Sequence, residues 1–199
     1  MHEKHCNSNS KHGSHGKMSY LENPARKDDL SPEKLLSLIP IKETDTVLDF
    51  GAGTGYFTIP AAKAVTGNVY ALDMDAEMLD VIKTKALQAE IENIVPVHTD
   101  GSEVPVPDER VDLVIASLVL HEIQPLNRTL TQIKNVMKDG GHLVCIELQP
   151  KGDSSHKAPR ITLAEMEQEM KDAGFRVVEK VFSSESLYVL IVQKQGEVG

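Results

Sequence analysis

Between residues 45 and 150, short β-branched and aliphatic runs alternate with longer stretches whose apolar positions recur at helical spacing. The runs are Thr46–Phe50, Asn68–Asp73, Ile94–His98, Val111–Ala116 and His142–Glu147. Strands this apolar are buried on both faces, which is the condition of a parallel sheet covered by helices. Asp75–Glu90 places Met78, Leu79, Ile82, Ala86 and Ala89 on one side of a helix. Leu126, Leu130, Ile133 and Met137 predict another, with Gly140 closing it. Ser31-Pro32-Glu33 reads as a helix start, with Leu35, Leu36, Leu38 and Ile39 as its apolar residues and Pro40 as its stop. Thr162 and Glu165 have capping-box spacing ahead of Leu163, Met166, Met170 and Ala173, and Gly174 ends that helix. The last two strands, Phe175–Phe182 and Leu187–Gln193, are joined by so short a connection that they must pair antiparallel. Pro96 marks its strand as an outer one or one entered late. The expectation is an α/β fold: a doubly wound, mostly parallel sheet ending in a hairpin.

Charge and cysteine content narrow the function. The 199 residues carry 21 basic and 30 acidic side chains, a net charge of −9. That balance argues against binding long nucleic acid, which requires a basic face. Two isolated cysteines, Cys6 and Cys145, make no disulfide framework, and the chain has no membrane-length apolar run. Its start is polar and lacks the apolar centre of a secretory signal, so a cytoplasmic location is expected. Residues 1–17 are rich in His and read as a solvated, flexible tail; His2, His5 and Cys6 there have metal-ligand chemistry, but no metal role is assigned to them. Residues 18–44 form an N-terminal helical lid segment, and 45–195 form the single ligand-binding domain.

The densest local signal is Val47-Leu48-Asp49-Phe50-Gly51-Ala52-Gly53-Thr54-Gly55-Tyr56, where the first strand turns toward a helix. Glycines permit a tight turn and close approach of a ligand. In a dinucleotide fingerprint a third glycine follows the second by three residues. Tyr56 occupies that position here, and Asp49 sits two residues before Gly51. A carboxylate there repels a pyrophosphate and suits a ligand bearing a cationic amine.

The stretch VLDFGAGTG resembles the first signature motif of class I S-adenosylmethionine-dependent methyltransferases. ALDMD, residues 71–75, resembles the second motif, and 98–123 resemble the third and fourth. GGHLVCIELQP, residues 140–150, resembles the fifth-strand segment. The similarity runs in order from about Leu30 to Gln193. It is nearest in flavour to the broad group containing the ubiquinone and menaquinone biosynthesis methyltransferases. It implies a Rossmann-like sheet of seven strands in the order 3-2-1-4-5-7-6 with strand 7 antiparallel. It also implies S-adenosyl-L-methionine as cofactor. By that resemblance Asp49 and the turn Gly51, Ala52, Gly53, Thr54 and Gly55 bind the cofactor. Asp73 binds the ribose hydroxyls, Met74 abuts the adenine, Asp100 takes its amino group, and Gly101 faces the ring. Ser117, ending the fourth strand, completes the set.

Methyl transfer is an in-line displacement, so the protein mainly aligns the reactants, and a base is needed only for a protonated acceptor. His121 follows strand four at the carboxyl edge and is the candidate base, with an ordinary pKa near neutrality. Glu147 ends strand five on the same edge. Cys145 lies mid-strand as core. Tyr20 and Arg26 precede the first helix and are placed to fold over the cofactor, with Arg26 facing its carboxylate. The stretch from Asp100 to Arg110 is too short for a full intervening helix, and Pro150–Arg160 is a polar loop at the ligand edge. With no inserted substrate domain and no Trp, the acceptor expected is a small molecule. The competing readings are a non-catalytic S-adenosylmethionine- or S-adenosylhomocysteine-binding protein and, further off, a nicotinamide-dependent oxidoreductase.

Overall fold

The computed structural model describes residues 31–39, 41–108, 110–150, 160–184 and 187–196. The His-rich tail, Tyr20, Arg26, Pro40 and the interior of the 150–160 loop lie outside these residues.

The elements run α1 (Pro32–Leu38), β1 (Val47–Phe50), α2 (Thr58–Ala64), β2 (Val69–Asp73), α3 (Ala76–Gln88), β3 (Ile94–His98), β4 (Val111–Ser117), a single 3₁₀ turn (Leu120–Glu122), α4 (Leu126–Val136), β5 (Met137–Leu148), α5 (Leu163–Asp172), β6 (Phe175–Ser184) and β7 (Leu187–Lys194). One sheet takes all seven strands in the order β3-β2-β1-β4-β5-β7-β6. The first five strands are parallel, and β7 runs antiparallel to both β5 and β6. Order and orientation agree with the expectation. Pro96 lies in edge strand β3, where a missing backbone donor is tolerated.

Alternate residues of each central strand face opposite layers. Leu48, Val114, Cys145 and Leu190 meet α4 and α5 through Leu130, Ile133, Met166 and Met170. Val47, Ile115, Val144 and Val189 meet α1 and α2 through Leu35, Phe57 and Ala61. Ala71 packs against Leu79 and Ile82 of α3. Each such aliphatic side chain withdrawn from water contributes about 1.5–3 kcal/mol. The strands are therefore legible as continuous apolar runs because both faces are covered.

The helix starts follow their caps. Ser31 accepts from the Lys34 amide, and Asp75 accepts from Glu77. Thr162 and Glu165 complete the reciprocal capping box. Asn93, just before β3, directs its side-chain amide at the carbonyls of Ala62, Val65 and Gly67, which fixes the chain leaving α2.

One sequence expectation is corrected. Gly140 does not close the helix carrying Leu126, Leu130 and Ile133. That helix ends at Val136, and Met137 is already extended and paired with Val111. The buried Met137 is held by the sheet rather than by the helix, so the glycine's positive φ of 77° serves an irregular stretch within β5. Between β3 and β4 the described residues contain no helix, as the short spacing implied. Among the described residues no helix is long and apolar enough to cross a membrane.

Candidate functional site

Parallel strands deliver their carboxyl ends to one edge, and the connections leaving β1, β2, β3 and β4 enclose a cavity of about 390 Å³ there. That volume lies within the range of small-molecule sites.

The turn after β1 forms the floor. Gly51, Gly53 and Gly55 all have positive φ, at 73°, 53° and 84°. A Cβ on Gly51 would lie 2.7 Å from Val119 Cγ2, so this position needs glycine for space as well as for conformation. The Gly51 and Ala52 amides both donate to the Leu72 carbonyl. The Gly53 amide donates to Asp73 Oδ2 at 2.7 Å, and Asp73 Oδ1 accepts from the Asp75 amide at 2.9 Å. The acid that ends β2 therefore holds the glycine turn in place.

Asp49 lies beneath the same turn, 2 % exposed, and accepts a 2.6 Å hydrogen bond from the Thr58 hydroxyl at the start of α2. Burial, which penalises the charged form, pushes its pKa up to about 7. The Thr58 hydrogen bond opposes that rise and the nearby Asp73 carboxylate adds to it. A buried carboxyl poised near neutrality ionises readily when a cation arrives beside it.

The loop after β3 forms a side wall. The Asp100 carboxylate accepts from the Ser102 amide, and Ser102, through its side chain first and that amide second, holds the Asp100 pKa below the ordinary value. The Thr99 hydroxyl donates to the Glu103 carbonyl and accepts from the Gly101 amide. Gly101 has a φ of 84° and backs onto the Met74 thioether, which is otherwise 63 % exposed. On the opposite side Ser117 ends β4, and Leu118 follows with a positive φ of 55°, its amide donating to the Ile146 carbonyl. A leucine in that region is strained, and such strain clusters where a ligand must be met at a fixed angle.

Asp49, Gly51, Ala52, Gly53, Thr54, Asp73, Met74, Asp100, Gly101 and Ser117 all line this cavity. Gly55 does not; it packs on Ile82 and Ile59 beneath the turn. His121 does not line it either. Its ring turns toward β5, where Nδ1 lies 2.7 Å from Glu147 Oε2. That contact raises the His121 pKa, burial opposing it. Cys145 is buried in mid-strand, and burial pushes its thiol well above the ordinary range. Sequence reasoning did not find Tyr56, Val104, Glu122, Thr129 and Gln132 as lining residues. Thr129 carried a weak signal, being a polar residue buried on the apolar side of α4. Glu103 and Glu122 join Asp49, Asp73 and Asp100, so the described lining holds five carboxylates and no lysine or arginine.

Residues 48–145 match the family described as a methyltransferase domain. Demethylmenaquinone methyltransferases from several Staphylococcus aureus strains are 33 % identical over 117 residues, 58 % of this chain and 48 % of theirs. The chain thus spans about half the length of these curated relatives. Among solved structures, a SAM-dependent methyltransferase from Aquifex aeolicus superposes with a TM-score of 0.82 at 27 % identity, covering 89 % of this chain and 96 % of its own. The methyltransferase complexed with the Haloferax volcanii Trm112 activator gives 0.79 at 18 % identity over 96 % of this chain and 100 % of its own. The [4+2]-cyclase SpnF gives 0.73 at 16 % identity over 84 % of this chain and 81 % of its own. The last two likenesses speak for the fold alone.

Proposed function

The chain belongs to the class I S-adenosylmethionine-dependent methyltransferases, and on that premise we propose that it transfers a methyl group to a small organic acceptor. The observation that carries this reading is the acidity of the cavity: five lining carboxyl groups, with no lysine or arginine among the described lining residues, above a turn that needs glycine. Such a lining suits a ligand with a sulfonium and an ammonium group and opposes a pyrophosphate. That contrast is what disfavours the nicotinamide alternative.

The residues present fit S-adenosylmethionine. Asp49 would meet its ammonium, the Gly51–Thr54 turn its methionine chain, Asp73 its ribose hydroxyls, and Asp100 with Gly101 its adenine. Met74 would lie against the ring. When bound, this cofactor supplies a methyl group on a positively charged sulfur that departs as a neutral thioether. The chain's part is to align the acceptor and exclude water, for which effective molarity supplies roughly 7–11 kcal/mol of the barrier. His121 Nε2 would take the proton of an acceptor that arrives protonated.

The likeness to the Staphylococcus demethylmenaquinone methyltransferases supports a quinone-type compound as the acceptor class. A cyclase on the same fold shows that architecture alone does not fix the chemistry, so a binding protein without transferase activity is the second reading. Calorimetry with S-adenosylhomocysteine and NADH, followed by labelled-methyl transfer to a panel of phenols and amines, tests the proposal. Binding of S-adenosylhomocysteine with methylation of a panel member is expected. Preference for NADH would sink the reading, and tight S-adenosylhomocysteine binding without transfer would favour the second one.

A further inference from the structure

One strand over from the cavity, His121 and Glu147 form a pair that cofactor binding does not employ. Glu147 is the penultimate residue of β5, set opposite Tyr188 of β7. Its side chain is 1 % exposed and that of His121 12 %. The two residues are brought together only by the pairing of β4 with β5. One carboxylate makes two contacts with one residue. Glu147 Oε1 accepts from the His121 backbone amide at 3.3 Å, and Oε2 lies 2.7 Å from Nδ1. The first contact fixes the turn and the second fixes the ring.

With the Glu147 carboxylate as acceptor, Nδ1 is assigned as the donor. In the neutral imidazole the single proton then sits on Nδ1, and Nε2 keeps its lone pair. Nε2 lies 3.8 Å from Oε1 of Glu122, which lines the cavity. The charged groups around the ring are Glu147 from β5, Glu122 from the same turn and Arg160 from the segment before α5.

We infer that Glu147 is a positioning residue, holding His121 in the Nδ1–H tautomer with Nε2, beside Glu122, as the atom that takes the acceptor's proton. This rests on the methyltransferase reading. In the step so assisted, the acceptor's lone pair forms the bond to the methyl carbon, the carbon–sulfur pair stays with sulfur, and the acceptor's proton moves to Nε2. Glu147 accepts the Nδ1 hydrogen bond of the resulting imidazolium, and the adjacent carboxylates raise the ring's proton affinity toward that of a hydroxyl acceptor.

Nitrogen NMR of the labelled full chain, with and without S-adenosylhomocysteine, reads the tautomer directly. The expected result is an Nδ1–H ring that titrates above the ordinary histidine range. Glu147→Gln keeps the side chain's shape and removes its charge, and should lower the His121 midpoint. With labelled S-adenosylmethionine and 1,4-naphthalenediol as acceptor, the same variant should lower kcat several-fold, leave KM within twofold, and move the acid limb of the rate profile with the NMR midpoint. An Nε2–H ring in the wild type, an unmoved midpoint in Glu147→Gln, or a rate profile that ignores the moved midpoint overturns the inference. Failure of S-adenosylhomocysteine to bind the wild type overturns the methyltransferase reading instead, and the ring signals of the free protein still decide the tautomer.

Discussion

Asp73 Oδ2 sits 2.7 Å from the Gly53 amide, so the acid that closes β2 also clamps the turn that follows β1. Each carboxylate oxygen accepts more than one hydrogen bond, which leaves Asp73 capacity for ribose hydroxyls beside its contacts to Gly53 and Asp75. Asp73→Asn preserves the shape and removes the charge. Hydrogen bonds to a charged group contribute about 1.5–3 kcal/mol, so S-adenosylhomocysteine affinity should fall roughly 10- to 150-fold by calorimetry. Equal affinity in the two proteins would remove Asp73 from the ligand.

If Asp49 meets the ligand ammonium, as proposed, binding depends on pH. Its folded pKa is raised from 3.8 to about 7, so its contribution to stability is full below 3.8 and is lost as the pH rises through 7. A ligand ammonium reverses the preference by favouring the ionised form. Below pH 7 binding must expel the Asp49 proton, and affinity should drop by up to about tenfold per pH unit. Calorimetry in buffers of different ionisation enthalpy should register that released proton. Asp49→Asn should bind more weakly, release none and show a flat profile between pH 5 and 8; a wild-type profile already flat there contradicts the assignment.

Gly51 combines a positive φ of 73° with a Cβ position 2.7 Å from Val119 Cγ2. Gly51→Ala should cost about 1–2 kcal/mol through the backbone and about 1–3 kcal/mol through the clash. Adding Val119→Ala removes the two Cγ contacts but leaves the 3.0 Å approach to the Val119 Cβ and the backbone strain. Urea unfolding should therefore show partial recovery in the double variant, and either complete recovery or none would contradict this division.

Asn93→Ala removes one amide from three carbonyls that close the end of α2. Leaving such acceptors without a partner costs about 1–3 kcal/mol. For a chain of this size that lowers the melting temperature by roughly 2–4 °C per kcal/mol, with S-adenosylhomocysteine affinity unchanged. A loss of affinity without a loss of stability would place Asn93 in the site rather than in the frame.

What the sequence revealed and concealed follows from the range of the interactions. Strands such as Val111–Ser117 were legible because both faces are buried, and the starts at Ser31, Asp75 and Thr162 because a cap is a local bond. The glycine turn was legible because it needs backbone freedom within a few residues. Gly140 was misread because Met137 continues the helical spacing, and only its pairing with Val111 ends the helix. The strained Leu118 carries a residue type that gives no hint of its φ. Gln132 lines the cavity because its amide reaches the Ser102 carbonyl across thirty positions of sequence, and no local pattern records that. His121 and Glu147 were each noticed at the correct edge, but their contact depends on the β4–β5 register, which periodicity does not supply.

β7 follows β6 in the chain yet fills the gap between β5 and β6. Until residues 187–194 dock, the far edge of β5 offers a row of open backbone groups, and β6 has no neighbour in the sheet. The two strands on that side of the sheet are therefore joined to the rest through β7 alone, a segment from the far end of the chain. Glu147 lies opposite Tyr188 of that strand, so its burial is supplied by residues some forty positions further along the chain. The glycine turn is held by its immediate neighbours in β1 and β2, whereas the contact between Glu147 and His121 depends on how the last strand closes the sheet.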